Sequence, residues 1–201
     1  MTLTSVKTLP SESEKQAVLS LFNEFPWTEK TYLVLTEANR LIELSEGRLV
    51  IHDMPTMEHQ DIVHALVRKF DQWIAEHARG RVYFAPVPIR LWPGKFREPD
   101  VFLYLEGAST LAGAAYAPIP DLVVEVLSPS TRRTDAGDKF DEYALAGIRE
   151  YWQVDPEARA VSIYTLTGER YTAAGIFGPS QIAHSNLLTD LLIRVDELFA
   201  S

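Results

Sequence analysis

The run Leu122-Val123-Val124-Glu125-Val126-Leu127 places a single acid inside an otherwise apolar segment. Near-continuous apolar character over five or six residues, rich in β-branched side chains, marks a strand covered on both faces. A strand of that kind needs other elements packed above and below it. Glu125 sharpens the constraint. An ionised carboxylate without a partner there costs several kcal/mol, so it must be paired, protonated, bound to a cation or turned into a solvated cleft.

The elements around this strand suggest what covers it. Thr56 can cap a helix in which Ile62, Leu66, Phe70, Trp73 and Ile74 recur at the 3.6-residue period, with Gly80 as its end. A second amphipathic helix spans about 135–145, turning Phe140, Tyr143 and Ala144 inward before Gly147. Strands are expected over 82–91, interrupted by Pro86 and Pro88, and over 101–105, 151–154 and 161–166. Segments 41–44 and 48–51 flank Ser45-Glu46-Gly47 as a hairpin with a three- or four-residue turn. The tail, 187–199, forms a terminal strand with a turn or short helix. Helices among such strands predict an α/β or α+β fold, a central mixed sheet flanked by helices. We expect residues 1–30 to be an extension with a short helix over 12–25, stopped by Pro26, and 31–201 to be the main domain.

Composition narrows the function classes. The 201 residues contain no cysteine, which excludes a thiolate metal site, a cysteine nucleophile and disulfides. The stretch 1–15 lacks the apolar core of a secretory signal, and no apolar run approaches the roughly 20 residues that span a bilayer. A cytoplasmic protein without membrane association is expected. Net charge is −9, from 19 basic and 28 acidic residues, so a polyanion can only be bound at a local patch. One candidate patch is the run from Arg79 to Arg97, which carries Arg79, Arg81, Arg90, Lys95 and Arg97 and no acid; a basic sheet edge balanced by acids elsewhere is the alternative.

Asp100, after Pro99 at a strand start, is the second acid in a costly place. Two carboxylates with water and a phosphate are a usual Mg²⁺ or Mn²⁺ environment, whereas an arginine salt bridge would satisfy them equally. Lys139, 14 residues after Glu125, is placed to reach back over the strand end, or else pairs with Asp135 one turn earlier. The five histidines lack a zinc spacing, with His59 and His64 falling on different helix faces. Ser128-Pro129-Ser130 lacks the glycines of a nucleophile elbow, Trp73, Trp92 and Trp152 read as packing residues, and no glycine-rich phosphate loop is present.

The elements Arg97-Glu98-Pro99-Asp100-Val101 and Pro120 through Ser130, followed by Asp135, Lys139, Tyr143, Gly147 and Glu150-Tyr151-Trp152-Gln153-Val154-Asp155, resemble the Uma2 family. Glu43 before the Gly47 turn and His59-Gln60 also match, and the similarity runs from about Trp27 to Phe199. The resemblance implies a PD-(D/E)XK restriction-endonuclease-like fold and a metal-dependent endonuclease acting on nucleic acid, with DNA the expected substrate. It matches Asp100 to the aspartate of the Pro-Asp element and Glu125 to the acid of the second element. The lysine expected two positions after Glu125 is replaced by Leu127, and Lys139 matches a lysine of the following helix. By the same resemblance Asp100, Glu125 and the main-chain carbonyl of Val126 would hold Mg²⁺ or Mn²⁺. Glu43 would add a ligand or orient water, Arg90, Arg97, Arg132 and Arg133 would contact phosphates, and His59 would line the cleft. A homodimer is implied by analogy, since cutting two strands takes two sites. The alternatives are an inactive nuclease-fold domain that binds protein or nucleic acid, and a hydrolase of small phosphodiesters.

Overall fold

One central strand, buried on both faces, organises the molecule. The computed structural model describes residues 13, 20, 24, 26–38, 42–52, 54–106, 114–128 and 137–200. Strand β7 (Leu122–Val126) sits inside a six-stranded sheet with β3 (Arg81–Phe84), β6 (Val101–Tyr104), β8 (Glu150–Asp155), β9 (Ala160–Thr167) and β10 (Arg170–Phe177), in the order β10-β9-β8-β7-β6-β3. Its neighbours pair antiparallel except β7 with β8, which are parallel. That pair needs a crossover, and the connection carries helix α3 (Asp138–Leu145) over one face of the sheet.

All five residues of β7 are buried. Leu122, Val124 and Val126 pack with Ile62, Leu66, Phe70 and Trp73 of helix α2 (Met57–His77) and with Leu188, Ile193 and Leu198 near the C-terminus. Val123 packs on the opposite face with Tyr143 and Ala144 of α3 and with Phe102, Tyr151 and Tyr171. Side chains alternate along a strand, so Glu125 shares the face of Val123 and points toward α3. A third, smaller core joins Tyr32 of helix α1 (Glu29–Ala38) to a four-stranded sheet in the order β2-β1-β5-β4, made of β1 (Ile42–Ser45), β2 (Arg48–Ile51), β4 (Ile89–Trp92) and β5 (Lys95–Arg97). The fold is thus mixed α+β with a central mixed sheet flanked by helices, as the pattern predicts.

Several boundaries differ from the sequence expectation for physical reasons. The hairpin turn has two residues, not three or four: Glu46 and Gly47 both take left-handed φ, 51° and 77°, the backbone twist that joins two antiparallel strands most tightly. Helix α2 begins at the expected cap, with the Thr56 hydroxyl accepting from His59 N–H at 3.1 Å, but it stops at Ala78, in left-handed conformation, rather than at Gly80. Gly80 is instead demanded by a close approach: its φ is 93° and a Cβ there would lie 2.7 Å from the Tyr104 carbonyl oxygen. The single interrupted strand expected over 82–91 is two, β3 and β4, belonging to different sheets, because Pro86 and Pro88 offer no N–H to a ladder. Strand β10 lies outside the strands expected above; it runs through Ala173-Ala174-Gly175, weak strand formers, with a register shift between Ala173 and Gly175. A two-stranded pair, β11 (Ile182–His184) with β12 (Leu192–Arg194), and the 3₁₀ turn Val195–Leu198 give the expected tail. The helix expected over 12–25 lies outside the described residues apart from positions 13, 20 and 24.

Glu150, fully buried at the start of β8, ties that tail down with no cationic partner in hydrogen-bond contact among the described residues. It accepts from the Trp152 indole N–H at 2.8 Å, the Ser185 hydroxyl at 2.5 Å, and the backbone N–H groups of Asn186 and Leu187 at 2.9 and 3.0 Å. Truncating it strands these donors in the core. Glu150→Ala is expected to destabilise the protein by about 3 kcal/mol or more, read as a lowered midpoint in urea unfolding; a change below about 1 kcal/mol would show that water replaces the carboxylate.

Candidate active site

The pairing of β6 with β7 brings the two acids to one end of the sheet. Val101 stands opposite Val124, so the antiparallel register carries Asp100 to the level of Glu125. The Val126 N–H donates to Asp100 Oδ2 at 2.7 Å, which fixes the Asp100 carboxyl against the residue that follows Glu125. His59, in the first turn of α2, lies with Nε2 at 3.2 Å from the same oxygen. Asp100 keeps 18% of its side-chain surface exposed, while Glu125 keeps 4%. One acid therefore faces solvent and the other lies behind it.

Helix α3 supplies the partners of Glu125. Lys139 Nζ donates to Glu125 Oε1 at 2.9 Å, and Tyr143, one turn later on the same face, donates its hydroxyl to that oxygen at 2.6 Å. Burial, reinforced by the negative charges of Glu125 and Glu43, pushes the Tyr143 hydroxyl well above its usual range, so it stays a proton donor. Lys139 is 2% exposed. Its ammonium faces the interior; Asp135, the alternative partner, lies outside the described residues.

Behind Lys139 stands Glu43 of β1, fully buried, with Oε1 at 3.4 Å from Nζ. Its Oε1 also accepts the Glu98 N–H at 3.0 Å, and its Oε2 lies 2.7 Å from Arg97 Nη1 and 2.9 Å from His52 Nε2. Burial raises the Glu43 carboxyl, but the positive charges of Lys139, His52 and Arg97 outweigh it and hold the group ionised, well below the usual carboxylate range. Arg97 continues the chain, forking onto Glu142 through Nε at 2.7 Å and Nη2 at 3.0 Å. Burial would lower the guanidinium, and the two carboxylates more than reverse that. Lys95 reaches the same Glu142 and donates to the Ser45 hydroxyl at 2.7 Å.

This geometry corrects the reading of the basic run. Arg97 is 2% exposed and spent on Glu43 and Glu142, so it is an internal strut in place of a phosphate contact. Arg90 grips Glu29 bidentately at 2.9–3.1 Å, with the Gly94 N–H on the same carboxylate at 2.6 Å, and so fastens α1 to the β4–β5 turn. Acids remote in sequence fold onto Arg79, Arg90, Lys95 and Arg97 of the run. Arg132 and Arg133 lie outside the described residues. Glu125, Lys139 and Glu43 are linked by direct contacts, His59 contacts Asp100, and the Val126 N–H holds Asp100 beside the residue that follows Glu125. Tyr143, Glu142, Lys95, His52 and Glu98 complete the surroundings; the sequence placed Tyr143 on the inward helix face and Glu98 beside Asp100, and pointed to no role for Glu142 or His52 here. Among the described residues, no three His, Asp or Glu side chains converge as a metal cluster.

A family model described as "Uma2: Putative restriction endonuclease" matches residues 29–196, which contain every one of these side chains. The chain belongs to the Uma2 family. No curated protein matches it at a significant level. A crystal structure of a putative nuclease belonging to DUF820 from Anabaena variabilis is similar, with TM-score 0.72 and 20% identity, covering 87% of this chain and 98% of that one. At that identity the likeness shows a common fold. The Uma2 assignment and this fold support a nuclease-like protein.

Glu98 provides a titration that the family pattern alone does not suggest. Burial and the adjacent Glu43 charge, against the opposing Lys139, push its carboxyl up to about 8. Its buried Oε1 has no hydrogen-bond partner among the described residues. The native state holds this proton more tightly than the unfolded chain, whose glutamate titrates near 4.5. The favourable contribution is complete below that value and is lost as pH rises toward 8, by at most about 1.4 kcal/mol per pH unit. In metal-free buffer, Glu98→Gln should gain melting temperature relative to wild type steadily from pH 5 to 8. Parallel melting curves across that range would refute it.

Proposed function

We propose that this Uma2 protein is a divalent-cation-dependent endonuclease that hydrolyses phosphodiester bonds of DNA. The observation that carries the reading is the placing of Asp100 and Glu125 at one end of adjacent strands with the Lys139 ammonium 2.9 Å from Glu125. Phosphodiester hydrolysis needs an activated water, an anchored phosphate and relief of the charge that builds on its oxygens.

The donor set fits a hard cation, since it offers carboxylate and carbonyl oxygens and no sulfur. Asp100, Glu125 and the Val126 carbonyl would hold Mg²⁺ or Mn²⁺, which when bound supplies Lewis acidity toward a water and the phosphoryl oxygens. The chain's own groups do the positioning. Asp100, the more exposed acid, is oriented by the Val126 N–H, and His59 beside it lines the substrate side. Tyr143 fixes the Glu125 carboxylate. Lys139 orients the attacking water or steadies the developing anion, which suits a compact ammonium on a flexible stem. Glu43, held by Arg97, steers that ammonium from behind. Phosphate contacts fall to Arg132 and Arg133, while Arg90 and Arg97 serve the scaffold. We place the protein in the cytoplasm; among the described residues no helix is long and apolar enough to cross a membrane.

Supercoiled plasmid should be nicked with Mg²⁺ or Mn²⁺ and not in EDTA, and Asp100→Ala, Glu125→Ala and Lys139→Ala should each slow nicking about 10²-fold or more. Nicking that persists in all three variants would sink the site assignment. The net charge of −9 and Leu127 at the usual lysine position favour a second reading, a binding domain without cleavage. It would retard DNA in a gel without nicking it under any cation. Double-strand cutting takes two sites, so light scattering should give twice the mass of one chain; a monomeric mass would remove the homodimer.

A further inference from the structure

Six charges lie buried behind Asp100. Glu43, Glu125 and Glu142 face Lys95, Arg97 and Lys139, with every side chain 14% exposed or less. The His52 imidazole adds a further contact on Glu43 at 2.9 Å. Asp100 stands apart, met by a backbone N–H and an imidazole rather than by a lysine or arginine among the described residues.

This bookkeeping bears on how a cation enters. Glu125 already has a positive charge 2.9 Å from Oε1. A divalent ion on that carboxylate would sit only a few ångströms from the ammonium, and like charges so close in a water-poor site repel strongly. We propose that the Lys139 ammonium is the resident counter-ion of Glu125, and that Mg²⁺ or Mn²⁺ binds in competition with it. Loading the site then releases the lysine for the substrate's phosphate. In the unloaded protein the lysine keeps Glu125 neutralised and ordered, which lowers the affinity for divalent ions in the absence of nucleic acid. The inference rests on the nuclease reading above and deepens it by assigning Lys139 a role before any chemistry.

The test is Mn²⁺ titration of the full chain by calorimetry, without nucleic acid. Lys139→Met should bind Mn²⁺ about tenfold or more tightly than wild type. Lys139→Arg, which keeps the charge, should stay within about threefold. Tyr143→Phe removes an uncharged donor from the same oxygen and should also stay near wild type, which separates charge competition from a loosened carboxylate. Adding Glu125→Gln to Lys139→Met should abolish the gain. If Lys139→Met is too unstable to titrate, the increase in its melting temperature on adding Mn²⁺ should exceed that of wild type. Equal or weaker Mn²⁺ binding by Lys139→Met overturns the exchange while metal-dependent plasmid nicking still stands. Absence of Mn²⁺ binding in every protein, with no nicking, overturns both.

Discussion

The contact on which the site depends is that between Glu43 and Arg97, both sealed from solvent and joined at 2.7 Å. Neither charge is tolerable alone at that depth, and removing one partner of such a pair typically costs about 3–5 kcal/mol. Each also has a second obligation. Arg97 forks onto Glu142 of α3, and Glu43 lies 3.4 Å from Lys139 on the same helix. The small four-stranded sheet is thereby fastened to α3 through ions, in addition to the apolar cluster that Ile89 and Leu91 of β4 share with Tyr143 and Ala144. The position of the Lys139 ammonium is set by elements from three separate stretches of chain.

The large sheet contributes the other half of the arrangement. Parallel pairing of β7 with β8 obliges the chain to cross over, and the crossover lays α3 on the face to which Glu125 points. A lysine two residues beyond Glu125 would share that face; here the place belongs to Leu127, and the ammonium arrives from the helix instead. Tyr143 arrives with it, because the two residues are one turn apart. Burial that forbids an unpaired Glu125 also keeps Tyr143 protonated, so its hydroxyl stays a donor to that carboxylate.

Much of this was legible in the residues. The apolar run around Glu125 declared a strand covered twice, Thr56 and the stripe from Ile62 to Trp73 declared α2, and the spacing of Phe140, Tyr143 and Ala144 declared α3. The acid in the core announced a partner without naming it. What the sequence could not display was pairing between distant segments: nothing local ties Glu29 to Arg90, or Glu142 to Lys95 and Arg97. For that reason the basic run from Arg79 to Arg97 could be read either as a patch for a polyanion or as a sheet edge balanced by acids elsewhere. Strand β10 stayed hidden because Ala173-Ala174-Gly175 has little strand preference of its own and is held in the sheet by β9. Glu150 stood inside a recognisable motif, yet its role depends on backbone N–H groups 36 and 37 residues away, which no side-chain pattern records.

The break in pairing at Ala173–Gly175 has a consequence for how copies of the molecule meet. The eight-residue β10 lies at the rim of the six-stranded sheet, a place where unpaired main-chain groups invite another strand. A shifted residue twists such a rim and spoils its match to a straight incoming strand. Continuous sheets spanning two molecules, and the fibrillar stacking that grows from them, are therefore disfavoured along this border.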